Sequence, residues 1–352
     1  MYHRIGRNLY LLFLYFRTCM AAATASKRIF LMSTPWHGNL GDQAIILAEY
    51  QVLEKTFPDY TIIEYPTEMI RKLMMRFAWK PAMHGNDIIA MHGGGNLGSL
   101  YPEEEEVHRW VVENYPMQTI FFMPQSIFFA EDKQGQIELE KSRAVYCNAN
   151  DLTIMERDHV SHQYGQEKFP FVKHFLAPDT VTALSAEKYL ISAERHGVCF
   201  FLRRDKEKVL ADDFVDQLVE WLVQYEIPYH RSDTVIMKSL RNRRSRWKAV
   251  AEKLNLARAA RVVVTDRYHG VIFSVITHTP VIVFKSYDTK ISAGIRWFQD
   301  LDWVHYAEAM DLMDIQRLIE YYCADEEIPV TIHSRCGALV MQAVSEVLQK
   351  TP

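Results

Sequence analysis

The sequence contains few cysteines, and they do not form the motifs of a metal or redox site. Its 352 residues include five cysteines, an odd number, and no two of them form a Cys-x-x-Cys pair. Such pairs are typical of zinc sites and of thiol–disulfide enzymes. We therefore expect reduced thiols. The histidines and acids also lack the spacing of a ligand cluster, so we predict no metal and no cofactor.

The sequence also lacks an apolar run long enough to span a bilayer. The N-terminal run Leu9–Phe16 is shorter than the roughly 20 residues that a membrane-spanning helix needs. Arg4 and Arg7 precede it, as in a signal peptide, but Arg17 interrupts it. We interpret residues 1–26 as an extension outside the catalytic fold that is either dispensable or in contact with a membrane surface. We expect a cytoplasmic protein, at most at the inner face of the cytoplasmic membrane.

Neither sign of charge dominates the chain. There are 40 basic and 44 acidic residues, which gives a formal net charge of -4. A general nucleic-acid-binding protein normally carries a basic excess, so we predict no nucleic-acid partner. The apolar fraction of 49% and the charged fraction of 24% are typical of a globular protein. The length favours about two domains.

Strand-like apolar runs alternate with helical stretches along the chain. This order is typical of an α/β fold with parallel sheets. We place one domain at residues 27–185 and a second at residues 186–352, with a last helix that crosses back to the first. The predicted strands lie near Ile29–Met32, Thr61–Tyr65, Asp87–Met91, Thr119–Met123, Leu152–Met155, Gly197–Leu202, Ile227–His230, Val262–Thr265 and Val281–Phe284.

The clearest chemical motif follows the apolar run Val262–Val264. It reads Asp266-Arg267-Tyr268-His269-Gly270 and falls where a buried strand ends, which is where open α/β sheets bind ligands. Arg267 can bind a carboxylate or phosphate through two hydrogen bonds. His269 can transfer a proton near neutral pH. The alternative is that the Asp-Arg pair ties a loop and the histidine caps a helix.

Two glycine-rich turns follow strands in the first half. In the first, residues 38–42 read Gly-Asn-Leu-Gly-Asp, with Asp42 expected at the N-cap of a helix. In the second, residues 92–98 formally fit the dinucleotide pattern G-x-G-x-x-G. That pattern also needs an acid at the end of the next strand, and this strand instead ends in Pro124-Gln125-Ser126. The sequence therefore does not predict a nicotinamide site.

Two runs of charge have simpler explanations. Residues 103–106 are four glutamates, which are favoured at the start of a helix. Residues 238–248 are rich in arginine and lysine and include Trp247. They predict either a solvated helix or a patch for an anionic lipid headgroup.

Five short motifs occur in order along the chain: Gly38-Asn39-Leu40-Gly41-Asp42-Gln43-Ala44, His92-Gly93-Gly94-Gly95-Asn96, Pro124-Gln125-Ser126, Phe201-Leu202-Arg203-Arg204-Asp205 and Asp266-Arg267-Tyr268-His269-Gly270. Together they make the chain similar to the polysaccharide pyruvyl transferase family over roughly residues 28 to 300. One departure is Tyr268, where the family commonly has leucine, and this difference bears on the choice of acceptor.

The resemblance implies two Rossmann-like domains that face a cleft, as in glycosyltransferase-B-like proteins. It also implies transfer of pyruvate as a ketal from phosphoenolpyruvate to a sugar of a surface polysaccharide, such as an exopolysaccharide or capsule, or to its lipid-linked precursor. Phosphate is released, and phosphoenolpyruvate is a substrate rather than a cofactor.

For this reaction we assign catalysis to His269, Arg267 and Asp42. We assign donor binding to Arg203, Arg204, Arg267 and Lys290, and acceptor binding to Asn39, Asp42, Asn96 and Gln125. Two other functions stay open on the sequence. One is a glycosyltransferase of the same fold that uses a nucleotide sugar, and the other is a sugar- or phosphate-binding protein without catalysis.

Overall fold

The computed structural model describes residues 10–13, 15–16, 18–20, 23–75, 83–192, 194–204, 208–285, 290–308, 310–324 and 335–349. The chain divides into two compact units. Unit 1 comprises Met1–Trp36, Ala48–Thr180 and Leu339–Pro352, and unit 2 comprises His37–Leu47 and Val181–Ala338. Each unit has its own parallel β-sheet, which confirms the α/β class.

Unit 1 contains a seven-stranded sheet in the order β2-β1-β3-β5-β6-β7, with β4 paired to β5. Its strands are β1 (Arg28–Thr34), β2 (Thr61–Pro66), β3 (Ile88–Met91), β4 (Gly94–Gly98), β5 (Thr119–Phe128), β6 (Asp151–Glu156) and β7 (Lys173–Leu176). The helices of this half of the chain are α1 (Leu40–Thr56), α2 (Thr67–Met74), α3 (Pro102–Asn114), α4 (Lys133–Tyr146) and α5 (His159–Lys168).

Unit 2 contains a five-stranded sheet in the order β12-β11-β10-β8-β9. Its strands are β8 (Val198–Phe201), β9 (Tyr229–Ser232), β10 (Val262–Thr265), β11 (Val281–Val283) and β12 (Val304–Tyr306). Its helices are α6 (Asp212–Gln224), α7 (Arg243–Arg258), α8 (Tyr268–Ile276), α9 (Lys290–Gly294) and α10 (Leu312–Cys323). The last helix, α11 (Arg335–Gln349), begins in unit 2 and belongs to unit 1 from Leu339 onward. Short 3-10 turns occur at Thr180–Ala183, Glu187–Tyr189 and Ile295–Phe298.

The central strands of both sheets are apolar runs buried on both sides. All seven residues of β1 and all four of β10 are buried, as expected for parallel strands covered on both faces. In the sheet of unit 2, β9 lies on one side of β8, and β10, the next strand along the chain, lies on the other side of β8. The carboxyl ends of β8 and β10 therefore form the topological switch point, where α/β sheets bind ligands.

Residues 37–47 lie in a different unit from the one that the sequence suggests. They were assigned to the first domain, but the structure groups them with unit 2. The reason is hydrogen bonding to the segment after β9: Leu40 N donates to Thr234 O at 2.7 Å, and Ile236 N donates to Gly38 O at 2.8 Å. The C-terminal residues from Leu339 belong to unit 1.

The N-terminal stretch also differs from expectation. Residues 10–13, 15–16, 18–20 and 23–24 are helical. Leu11 is 7% exposed and belongs to the apolar core of unit 1, against which Tyr10 and Tyr15 pack. The expectation that residues 1–26 lie outside the fold is therefore wrong for these residues. Within the ranges that the structure describes, no helix has both the length and the apolar character needed to cross a bilayer.

Candidate active site

The turn after β10 fixes Arg267 and His269 at the start of α8. Thr265 Oγ1 donates to Phe201 O at 2.8 Å and accepts the Arg267 N–H at 3.0 Å. A Cβ built on Gly270 would lie 2.2 Å from Thr265 Oγ1, so the chain can pass here only with glycine. Arg267 is the N-cap residue, with no capping bond from its side chain. The alternative that His269 caps the helix is therefore wrong.

Asp266 links the carboxyl ends of β10 and β8. Its Oδ1 accepts the backbone N–H of Arg203 at 2.8 Å, and the residue is 1% exposed. Burial raises the pKa of Asp266, although the Arg203 N–H and the charges of Arg203 and Arg267 oppose this shift. This role of Asp266 was not predicted from the sequence, although an acid directly after an apolar strand is a signal for it.

Arg267 is held by a carboxylate of the protein itself. Its Nε and Nη2 donate to the two carboxylate oxygens of Asp233, each at 2.9 Å. Both side chains are largely buried, with 10% and 16% exposure. Asp233 follows β9, the neighbour of β8. The guanidinium thus has the two-bond geometry predicted for a carboxylate, and Asp233 fixes its direction.

The other predicted donor-binding cations differ in their placement. Arg203 is 9% exposed at the end of β8, where Asp266 holds its backbone. Arg204 is exposed. The side chain of Lys290 lies outside the described residues. Of the pair Arg203 and Arg204, the structure therefore places Arg203 beside the Asp266–Arg267 turn.

The glycine turn at residues 38–42 is enclosed by the segment that follows β9. A Cβ on Gly38 would lie 1.8 Å from Ile236 O, so this position requires glycine. Helix α1 begins at Leu40, and Asn39 Oδ1 accepts the Gly41 N–H at 3.1 Å. Asn39 is therefore the N-cap residue, and the prediction that Asp42 fills that position is wrong. Asp42 lies in the first turn of the helix.

His269 packs directly on this turn. A Cβ built on Gly41 would lie 2.2 Å from His269 Nδ1 and 2.5 Å from the ring carbon Cγ. The imidazole therefore occupies the space that a side chain at position 41 would need. Asp42, the next residue, has its Oδ2 3.6 Å from His37 Nε2. Two motifs more than 200 residues apart in the sequence are thus adjacent in unit 2.

Gln43 and Arg246 hold the same turn in place through buried hydrogen bonds. Arg246 Nε donates to Gln43 Oε1 at 2.9 Å, and Gln43 Nε2 donates to His37 O at 2.9 Å. Both residues have 0% exposure. Trp247 stacks on Tyr189 with ring centroids 4.0 Å apart. Arg246 and Trp247 are therefore not part of a surface patch. Lys238, Arg243, Arg244 and Lys248 of the same run are exposed, so for these residues the lipid-headgroup interpretation stays a prediction.

The second glycine turn belongs to unit 1, where Glu49 holds it. Glu49 Oε1 accepts the Gly93 N–H at 2.7 Å, and Oε2 lies 2.8 Å from His92 Nδ1. Gln125 Nε2 donates to His92 O at 2.6 Å. Glu49 was not predicted as a site residue, although a lone acid in the apolar part of α1 is a signal for it. The histidine and the glycine turn are thus tied into the protein interior.

The two acceptor-binding candidates of unit 1 have different surroundings. Gln125 is fully buried within β5, which continues to Phe128 because β4 pairs with its second half. The prediction that this strand ends before Pro124 is therefore wrong. Asn96 in β4 is only half-buried. The side-chain oxygens of both residues, Asn96 Oδ1 and Gln125 Oε1, have no hydrogen-bond partner among the described residues, so the difference between them is exposure. Asn96 is the better placed of the two for a ligand.

A buried polar network, also missed from the sequence, lies beyond Gln125. Arg157 donates from Nε to Ser126 Oγ and from Nη1 to Asp179 Oδ2, each at 2.8 Å. Ser126 Oγ also donates to Asp158 Oδ2 at 2.8 Å.

Among the described residues no group of three or more His, Cys, Asp or Glu is arranged to hold a metal ion.

Comparison with known proteins identifies the family. A family model described as polysaccharide pyruvyl transferase matches residues 39–288, and the chain belongs to this family. General stress protein 30 of Bacillus subtilis is 34% identical over 299 residues, 84% of this chain and 84% of that protein. Pyruvyl transferase 1 of Schizosaccharomyces pombe is 28% identical over 291 residues, 78% of this chain and 70% of that protein.

A solved structure extends the comparison to the fold. UDP-GlcNAc 2-epimerase from Neisseria meningitidis, bound to UDP-GlcNAc, has a TM-score of 0.52 at 12% sequence identity. The match covers 92% of this chain and 100% of that chain. At this identity the likeness shows the fold alone. It confirms the expectation of two Rossmann-like domains of the glycosyltransferase-B type. The protein is thus an enzyme, a polysaccharide pyruvyltransferase.

Proposed function

We propose that the protein transfers pyruvate as a cyclic ketal from phosphoenolpyruvate to a sugar diol, with release of phosphate. The acceptor is a sugar of a surface polysaccharide or of its lipid-linked precursor. Family membership supports pyruvyl transfer to a polysaccharide. Phosphoenolpyruvate as the donor is what the family resemblance implies. Two arginines and a histidine that follow the strands at the switch point of unit 2 supply the cations and the proton carrier that such a donor needs.

The reaction needs one proton delivered and two hydroxyl protons removed. Carbon 3 of the enol accepts a proton and becomes a methyl group, which makes carbon 2 electrophilic. The first sugar hydroxyl adds to carbon 2 and loses its proton. The C–O bond to phosphate then breaks, and the second hydroxyl adds to the resulting cation and loses its proton. One of the two released protons replaces the one consumed at carbon 3, and the other leaves with phosphate.

The residues of unit 2 can be assigned to these steps. Arg267, whose guanidinium is oriented by its two bonds to Asp233, supplies a fixed cation for the carboxylate or phosphate of the donor. Arg203, at the end of the adjacent strand β8, supplies the second cation. His269 delivers the proton to carbon 3, and Asp42 accepts a hydroxyl proton. Asn39, by contrast, uses its side-chain oxygen to cap α1, so its part in acceptor binding is to shape the turn.

The observation that carries this proposal is the packing of the His269 ring on Gly41. It brings the proton carrier, Asp42 and the Arg267 turn into a single unit of the fold. The packing also fixes the direction of the imidazole ring beside the turn that carries Asp42, which a proton carrier at this site requires.

The test is an assay with phosphoenolpyruvate and a panel of galactose, mannose, glucuronic acid and N-acetylhexosamine acceptors. We expect release of phosphate together with an acceptor mass gain of one pyruvate less one water. His269→Ala should lower turnover by at least about 10²-fold and retain phosphoenolpyruvate binding. The matched control is His196→Ala, an exposed histidine of the same unit. Its turnover should equal that of the wild type.

Two results would contradict the proposal. Turnover of His269→Ala within a few-fold of the wild type would remove the histidine from the chemistry. Release of a nucleoside diphosphate from a uridine or guanosine diphosphate sugar, with no reaction of phosphoenolpyruvate, would assign the protein to the glycosyltransferase alternative. Binding without turnover of either donor would leave a binding protein.

A further inference from the structure

The N-terminal helical stretch has one apolar face packed on unit 1. Leu11 is 7% exposed within the core, and Thr18 is 6% exposed. Tyr15 packs against the same core, and the ring of Tyr10 meets the ring of Trp36 edge-on with centroids 5.7 Å apart. These contacts fix the stretch to the unit along its buried side.

The opposite face is also apolar, and it is exposed. Leu12, Phe13, Phe16 and Met20 are 53%, 62%, 59% and 70% exposed. At about 100° per residue these four side chains fall within an arc of roughly 100°. The centre of that arc lies roughly 150° from the buried side defined by Leu11 and Thr18. The stretch therefore presents a continuous apolar stripe on the side away from the core.

This stripe differs from the other exposed apolar residues of the protein. Met117 and Ile191, for example, are 75% and 67% exposed but stand far apart in the sequence, as is ordinary for single surface residues. Four large apolar side chains along one helical face instead indicate a surface that is covered by a partner.

The charges of the surrounding sequence identify that partner. No Asp or Glu occurs before Asp42, whereas Arg4, Arg7 and Arg17 lie within or beside the stretch. An apolar stripe accompanied only by basic residues suits a bilayer surface with anionic lipids. A second copy of the chain fits less well, because a two-fold contact brings like-charged segments together.

We propose that the helical residues 10–13, 15–16 and 18–20 form a membrane-docking stretch. Its exposed stripe inserts into the surface of an anionic bilayer, and the contacts of Leu11 and Tyr15 hold it to unit 1. The nearby arginines add attraction to lipid phosphates. This inference does not depend on the donor or on the identity of the acceptor.

The test is co-sedimentation of the full chain with vesicles. We expect the wild type to bind phosphatidylcholine vesicles that contain phosphatidylglycerol and to bind pure phosphatidylcholine more weakly. The double variant Leu12→Ser, Phe16→Ser should reduce the bound fraction about 10-fold, since it removes half of the apolar stripe. The control pair Met117→Ser, Ile191→Ser removes comparable exposed apolar surface elsewhere and should bind like the wild type.

Folding is followed by thermal unfolding, which should be unchanged in both double variants because the altered side chains are exposed. If the Leu12, Phe16 variant unfolds early, Phe13→Ser alone replaces it in the vesicle assay. Absence of wild-type binding would overturn the proposal, as would equal binding by the stripe variants. A dimer in light scattering that the same substitutions abolish would also overturn it, because it would assign the stripe to a second copy.

Discussion

At the scale of single residues, the site depends on how closely Gly41 approaches His269. The glycine is needed for space, because a Cβ would lie 2.2 Å from the imidazole nitrogen Nδ1. A side chain at position 41 would therefore force the ring away from its position. His269 could be predicted as a site residue from its place after an apolar strand. Its contact with Gly41 could not be predicted, because only the folded chain brings residues 41 and 269 together.

Gly41→Ala should therefore reduce activity without unfolding the protein. Alanine favours a helix over glycine by about 1 kcal/mol, so α1 should persist. Displacement of His269 by an ångström should lower kcat by about 10²-fold. Steady-state kinetics and thermal unfolding check this, with Gly85→Ala as the control, since a Cβ there meets no heavy atom within 4 Å in the described structure. Equal kcat for the two variants would show that the ring position is not critical.

For Arg267 as well, the sequence predicts the position of the residue but not its partner. Its position at a strand end and its capacity for two-bond binding follow from the sequence. Its partner Asp233 precedes it by 34 residues and follows a different strand. No local pattern connects the two, so the ion pair that orients the guanidinium becomes visible only in the structure.

At the scale of elements, a buried glutamate joins α3 and α4 to β4. Glu105 Oε1 accepts hydrogen bonds from Ser142 and Tyr146, and Oε2 accepts the Gly98 N–H at 3.0 Å. Burial alone would raise the pKa of Glu105, but His108, Ser142 and Tyr146 oppose this, and the net shift is downward. The carboxylate is therefore more stable in the folded protein than in the unfolded chain.

A depressed folded pKa contributes stability above the ordinary value of 4.5 and loses it as pH falls through the folded pKa. Glu105→Gln should lower the free energy of unfolding by about 2–3 kcal/mol at pH 7, the scale of hydrogen bonds to a charged group. Urea unfolding at neutral and acidic pH should show the difference between variant and wild type shrinking below pH 4.5.

The matched control is Glu104→Gln in the same helical turn. Glu104 pairs with Arg71 at the surface, where an ion pair contributes at most about 1 kcal/mol. Its substitution should change stability little at either pH. An equal loss for Glu105→Gln at both pH values would contradict a role for its charge.

The positions of most elements could be predicted, whereas several of their ends could not. The acidic run at 103–106 correctly predicted a helix start, and α3 begins at Pro102. The third glutamate of this run, Glu105, is buried and accepts the Gly98 N–H at the end of β4. Likewise β5 extends to Phe128 because β4 supplies an extra neighbour, and Asn39 rather than Asp42 caps α1. For Glu105 and β5 the deciding hydrogen bonds come from segments distant in sequence, whereas the cap of α1 is a local bond between Asn39 and Gly41.

At the scale of the whole molecule, the two units divide the candidate residues. Unit 2 contains Arg203, Arg267 and His269 together with the turn that carries Asn39 and Asp42. Unit 1 contains Asn96 and Gln125. The α/β class and the family motifs were readable from the sequence. The assignment of residues 37–47 to unit 2 was not, because it rests on backbone bonds to Thr234 and Ile236.

In the proposed reaction, unit 2 binds the donor. Calorimetric titration of phosphoenolpyruvate into the wild type, Arg267→Lys and Asn96→Ala tests it most directly. Arg267→Lys keeps the charge opposite Asp233 but loses the two-bond geometry, and it should weaken donor binding by about 1.5–3 kcal/mol, or more than 10-fold. Asn96→Ala, in unit 1, should leave donor affinity within about two-fold of the wild type, a change of under 0.5 kcal/mol. Equal losses of affinity in the two variants, or none in Arg267→Lys, would contradict the claim.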